Sequence, residues 1–410
     1  MISNHPEMVA AIAGTMRSTV SRRRLLQAAG IGSAAMAVAA CGGTGGDTAS
    51  SGSDSAAPVA GSAEDLSDTE KTLIWSNWIG YVDINDETGE RPSLDRFMAD
   101  TGITVTYNED INDNSEFFAK VRTQLEQGQE IGRDIVTLTD WMAGLWIQSG
   151  FVQKLDKANI PNFSNMIASY LDVGFDPGRE YSMPWQSGFG ALGWNKSALK
   201  DALGTDTLVS LDQLFDPALK GKISVLSEMR DTMGIMLAWL GFDPTNFTDD
   251  QFGQAIEALT QQVDNGQIRQ VAGNEYVAAM ESGDVTAVIG WSGDMFQLGD
   301  AFGVALPESG GMLWTDNMMI PALASHKKNA EAIMNYYYDP AVAAEVAAYV
   351  QYVSPVKGAK EAMAEIDPAL VENPWIFPND AILGNSYVFM SLTPEQDATY
   401  QRAFQKAIGN

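Results

Sequence analysis

From Leu73 onward, short apolar runs of strand length alternate with longer stretches whose apolar positions recur every three or four residues. Leu73 to Ser76 predicts a first strand, which runs into an aromatic loop, "NWIGYV". In "SLDRFMADTG", Leu94, Phe97 and Met98 fall on one helical face, with Ser93 expected as N-cap and Gly102 as the C-terminal stop. "ITVTYNED" predicts the next strand. Phe117, Phe118, Val121 and Leu125 share one face of the helix that follows, and "RDIVTLTD" is a continuous apolar strand of the kind buried between parallel neighbours. A second unit with the same alternation runs from "GALGWN" through "KISVL" and "DDQFGQAIEALTQQV" to "AVIGW". Strands alternating with helices predict an α/β chain whose ligands sit in loops at the carboxyl ends of the strands.

That rule picks out particular residues. Trp78 and Tyr81 lie in the loop after the first strand, and Thr139, Asp140 and Trp141 in the loop after "DIV". Glu228 and Asp231 stand just beyond "KISVL", three apart at the start of a helix, so they share a face. Trp291 ends "AVIGW". A further stretch, "GGMLWTDNMMIPA", reads as a buried strand interrupted by Trp314 and Asp316. Two apart on an extended chain, they project from one face and can offer an aromatic plane and a carboxylate to one object, a combination that suits an organic cation. The competing reading is a core indole beside a solvated turn aspartate.

The N-terminal stretch does not fit the α/β pattern. "SRRRLLQAAGIGSAAMAVAAC" carries a twin arginine (Arg22, Arg23), a short small-residue apolar stretch and "VAAC", which together read as a twin-arginine lipoprotein signal over residues 1–40 with Cys41 as the lipidated residue. Residues 41–70, rich in Gly, Ser and Asp, predict a flexible tether, with the folded body starting near Lys71. The remaining ~340 residues exceed one comfortable core and call for two lobes. Cys41 is the only cysteine, and the histidines are His5 and His326, so the body has no disulfide, no thiolate cluster and little of the usual histidine-based hydrolase or zinc chemistry. No cofactor is called for. Residues 1–40 hold four arginines and Glu7; without them 21 basic residues face 52 acidic ones, a net charge near −31. Nucleic acid is thereby disfavoured as a partner, and a cationic ligand is favoured in its approach.

In order and spacing, "WSNWIGYV", "TGITVTY", "DIVTLTDWM", "FDPGREYSMPW", "FDPALKGKISVLSE", "MESGDVTAVIGWSGD", "GGMLWTDNMMIPA" and "YVSPV" resemble the polyamine-binding (spermidine/putrescine) proteins of ABC importers, over nearly all of residues 71 to 390. The resemblance implies a bilobed periplasmic-binding-protein fold of type II, two α/β lobes joined by two crossing hinge strands, "YSMPWQSGFGALGWN" and "MLWTDNMMIP". Lobe one would comprise residues 71–187 and 315–360, and lobe two residues 188–314 and 361–410. By the same likeness the ligand residues would be Trp78, Tyr81, Thr139, Trp141, Glu228, Asp231, Trp291, Trp314, Asp316 and Tyr352. The acid identities at 228 and 231 are exchanged relative to the family pattern, and Gly80 stands where the spermidine-type loop has a carboxylate, so the choice among polyamines stays open. "GNEYV" corresponds to a further polar contact, without a fixed alignment of Gly273 or Asn274.

The implied function is that of a monomeric, lipid-anchored protein outside the cytoplasmic membrane. It would capture a polyamine between its lobes and deliver it to an ABC permease. A polyamine is a string of ammonium groups separated by methylenes, so its receptor needs carboxylates at intervals with aromatic faces between them. The alternatives are a binder of another small solute, a sugar or a different organic cation, and an enzyme using Glu228 and Asp316 as a glycosidase pair.

Overall fold

A computed structural model describes residues 63–85 and 87–409. The twin-arginine stretch and Cys41 lie outside the described residues. The strands are β1 (Thr72–Trp78), β2 (Thr104–Ile111), β3 (Ile135–Thr139), β4 (Ser182–Asn195), β5 (Ile223–Leu226), β6 (Ile268–Ala272), β7 (Ala287–Trp291), β8 (Phe302–Ala305), β9 (Gly311–Met319) and β10 (Ser386–Tyr387). The helices that position the site are α1 (Pro92–Thr101), α2 (Asn114–Glu126), α3 (Asp140–Gln148), α4 (Met229–Trp239), α5 (Asp249–Asp264), α6 (Ser292–Gln297), α7 (Lys327–Tyr337), α8 (Pro340–Val350) and α9 (Pro394–Ala407).

The strands form one curled sheet in the order β2-β1-β3-β9-β4-β7-β5-β6, with β10 beside β9 and β8 beside β4. β1 pairs in parallel with β2 and β3, and β5 in parallel with β6 and β7. These two parallel groups are the cores of two lobes, and β4 and β9 run antiparallel between them from Ser182↔Met319 to Gly190↔Met312. The second half of β9 belongs to the first lobe through β3, whereas the second half of β4 belongs to the other through β7. The two hinge passages expected from the sequence are these strands. "RDIVTLTD" is therefore parallel on one side only; its other neighbour, β9, is antiparallel. β4 is buried from Ser182 through Trp194, and two of its glycines exist for close approach. A Cβ at Gly190 would stand 2.9 Å from the Asp231 carboxylate, and one at Gly188 would stand 2.5 Å from the Trp314 ring.

Three local expectations change. Ser93 is not the N-cap of α1: Pro92 occupies the first turn with its φ preset, so the helix starts earlier with Arg91 in the capping position, and Ser93 N–H donates instead to Asp83 Oδ2 at 2.9 Å. Gly102 does end the helix, in the left-handed conformation. The folded body begins before Lys71, because Leu66 N–H donates to Ser325 O at 2.7 Å, and Asn329 on α7 donates to Ser67 Oγ and Glu70 O at 3.2 and 2.9 Å. Polar residues that cannot build a core are held there by hydrogen bonds. The boundary drawn at 360/361 cuts a packed pair, since the helix Ala359–Ile366 lies on α8. α9 packs on α5, with Tyr400 stacked on Phe252 at 3.9 Å between ring centroids.

Candidate ligand-binding site

The carboxyl ends of β1, β3, β5 and β7 meet the middle of β9 around a cavity of about 410 Å³. All ten residues expected from the sequence line it: Trp78, Tyr81, Thr139, Trp141, Glu228, Asp231, Trp291, Trp314, Asp316 and Tyr352. β9 brings both Trp314 and Asp316 to its wall, as their spacing requires.

Asp316 is held by two hydroxyls. Tyr81 OH donates to its Oδ2 at 2.8 Å and Thr139 Oγ1 to its Oδ1 at 2.7 Å. It is only 4% exposed, and burial pushes its carboxyl up to about 7 against the lowering effect of those two hydroxyls. Across the cavity Asp231, in the first turn of α4, accepts from Trp291 Nε1 at 3.2 Å and is likewise raised to about 7 by burial. An ammonium placed between them would find two carboxyls whose ionisation is resisted chiefly by desolvation, with like-charge repulsion from Asp140 and Asp231 added at Asp316, and would relieve that resistance. Trp78 and Trp291 meet edge to face at 5.7 Å from opposite lobes. Tyr352 stands edge to face with both Tyr81 (5.5 Å) and Trp314 (5.2 Å), and its OH donates to Asp294 Oδ1 at 3.2 Å.

The signature of bacterial extracellular solute-binding proteins spans residues 93–378. The chain belongs to this family. It is similar to the spermidine/putrescine-binding periplasmic protein of Salmonella typhimurium, 27% identical over 348 residues that cover 84% of this chain and 93% of that protein. It is similar also to a putrescine-binding periplasmic protein of Escherichia coli, 27% identical over 359 residues covering 83% and 92%. Among solved structures, one from Listeria monocytogenes described as a spermidine/putrescine ABC transporter superposes with a TM-score of 0.72 at 24% identity, over 82% of this chain and 99% of the other. That likeness shows the shared bilobed fold.

Two more cleft residues of this solute-binding protein are engaged by groups of the opposite lobe. Glu228, the residue before α4, spans the lobes: its Oε1 accepts from the N–H and the Nδ2 of Asn114 at 2.7 and 2.8 Å. Its carboxyl is pushed far up by burial and by the nearby Asp113, which itself accepts from Ser227 Oγ at 3.0 Å. The face of Trp141 carries the guanidinium of Arg230 at 3.8 Å.

The cavity also includes residues outside the ten expected ones. Asp294 accepts from Asn274 Nδ2 at 3.1 Å and Tyr276 OH at 2.8 Å, and so forms a further buried acid of the wall. It lies three residues beyond the strand-ending Trp291, the same kind of position that singled out Glu228 and Asp231, so the signal was available. Asn274 reaches the wall from the "GNEYV" stretch, and its Oδ1 has no hydrogen-bond partner among the described residues. Asp140 is raised to about 6 by burial, and it accepts from Asn317 Nδ2 at 2.7 Å. Val388 to Leu392, between β10 and α9, form a further part of the wall, and this short irregular segment has no periodicity to announce it.

Proposed function

We propose that this solute-binding protein captures a polyamine of the putrescine/spermidine class between its lobes, outside the cytoplasmic membrane, and delivers it to the permease of an ABC importer. The observation that carries the reading is Asp316: a buried carboxyl fixed by Tyr81 and Thr139 on a hinge strand, beside Trp314 and facing Asp231. Relatives aligned over most of the chain are named for binding spermidine, putrescine or both, which supports the same ligand class. In this reading Asp316, Asp231 and Asp294 take ammonium groups, while Trp78, Trp291, Trp314 and Tyr352 cover the methylenes and supply cation–π contacts of roughly 0.5–2 kcal/mol each. Glu228 serves closure through Asn114. The ligand is held and released unchanged. Anchoring is through lipid on Cys41, and the protein acts as a monomer.

Titration calorimetry of the soluble body with putrescine, spermidine, spermine and a neutral sugar tests the reading. Heat with an amine that weakens as salt is added supports it. Clear binding of the sugar with no response to any amine overturns it.

A further inference from the structure

Arg230 occupies a setting that the rest of the cleft reserves for a ligand. It lies in the first turn of α4, one residue before Asp231, and its side chain is 13% exposed. Its guanidinium lies 3.8 Å above the Trp141 ring and 5.9 Å from the ring of Phe389, and its Nη2 pairs with Asp397 Oδ1 at 2.8 Å. Trp141 belongs to the opposite lobe, Phe389 to the segment after β10 and Asp397 to α9. All four line the cavity that holds Asp231 and Asp316. Two aromatic faces and a carboxylate make an ammonium cage, and this one is filled by the protein's own cation.

We infer that Arg230 is a specificity-determining residue that closes this end of the cleft to a further ammonium group, restricting the site to diamines in preference to triamines and tetramines. The inference rests on the polyamine reading and deepens it. An ammonium arriving here meets a like charge. It also brings only donors, whereas Arg230 Nη1, buried and without a partner among the described residues, needs an acceptor. Of the acids nearest this end, Asp397 is paired with Arg230 itself, and Glu228 holds Asn114 through Oε1. What remains for the ligand is Asp231, Asp294 and Asp316 with their rings. A chain long enough to carry a third amine to this end strands that charge against a guanidinium, while a diamine ends before it.

Calorimetry with putrescine, spermidine and spermine on the wild type and on Arg230→Gln tests this. The wild type is expected to prefer putrescine by about tenfold or more, and the substitution to erase about tenfold of that preference, chiefly by tightening spermidine. Asp397→Asn provides a second test that leaves Arg230 in place: an uncompensated guanidinium deepens the discrimination against spermidine. A wild type that binds spermidine as well as putrescine overturns the role of Arg230 while leaving the polyamine reading intact. So does an unchanged preference in a folded Arg230→Gln, or, should that variant not fold, in Asp397→Asn. A wild type that binds none of the three amines overturns both.

Discussion

Replacing Asp316 by Asn tests the charge at the centre of the cleft with little change of shape. Without ligand the Asp316 carboxyl is raised by burial from 3.8 to about 7, which corresponds to about 4 kcal/mol favouring the protonated form over its unfolded reference. Between those two values the folded protein binds a proton that the unfolded chain has lost, so stability falls as pH rises from about 4 to about 7 and is level above. The substitution removes that penalty. At pH 8 the ligand-free variant is therefore expected to be more stable than wild type, by up to about 4 kcal/mol less the cost of rearranging the hydrogen bonds from Tyr81 and Thr139. At pH 4 the two should be nearly equal. Ligand binding moves the opposite way. An ammonium at Asp316 requires the carboxylate, so wild-type affinity should rise with pH through about 7, with protons released on binding. Asp316→Asn leaves a desolvated ammonium without its partner, a loss of about 2–5 kcal/mol. Denaturant melts at pH 4 and 8, with calorimetry of putrescine in two buffers of different ionisation heat, measure all of these quantities. A variant that binds as tightly as wild type, or that is destabilised at pH 8, would refute the placement of Asp316 as a buried ligand carboxylate.

Glu228→Gln should hold affinity within about threefold, because an amide oxygen still accepts from Asn114 and the repulsion with Asp113 is gone, whereas Glu228→Ala should lose about tenfold or more. Equal losses in both would make Glu228 a ligand carboxylate. Gly188→Ala places a Cβ 2.5 Å from Trp314 and 2.7 Å from Tyr352, so it should weaken amine binding with only a modest fall in melting temperature; unchanged binding would show that these rings are not part of the ligand wall. Cys41→Ser should move the protein from the membrane to the soluble fraction, and retention on the membrane would count against the lipid anchor.

The strand ends were legible because each is a short apolar run closed by a residue of different chemistry, as with Trp291 after "AVIG" or Thr139 after "IVTL". Their convergence on one cavity follows from sheet topology. The two-residue spacing of Trp314 and Asp316 was sufficient to put both on one wall. Pair contacts across the cleft were not legible. Nothing local to Arg230 announces that Trp141, nearly ninety residues earlier, will lie beneath it, nor that Asn114 will claim Glu228. The N-cap misassignment is different in kind, since Pro92 was in view and outranked Ser93.

The two strands at the centre of the sheet are joined in space long after they are made in sequence. Thr139 meets Asp316 across 177 residues, and β9 is the strand against which both β3 and β4 lie. A nascent chain that has passed β7 still exposes the edges of β3 and β4, and neither lobe is complete until residue 319 has emerged. Pairing over such separations is slow, and open edges invite aggregation while it waits. This topology favours folding in one compartment as a whole chain over stepwise folding behind a threading pore.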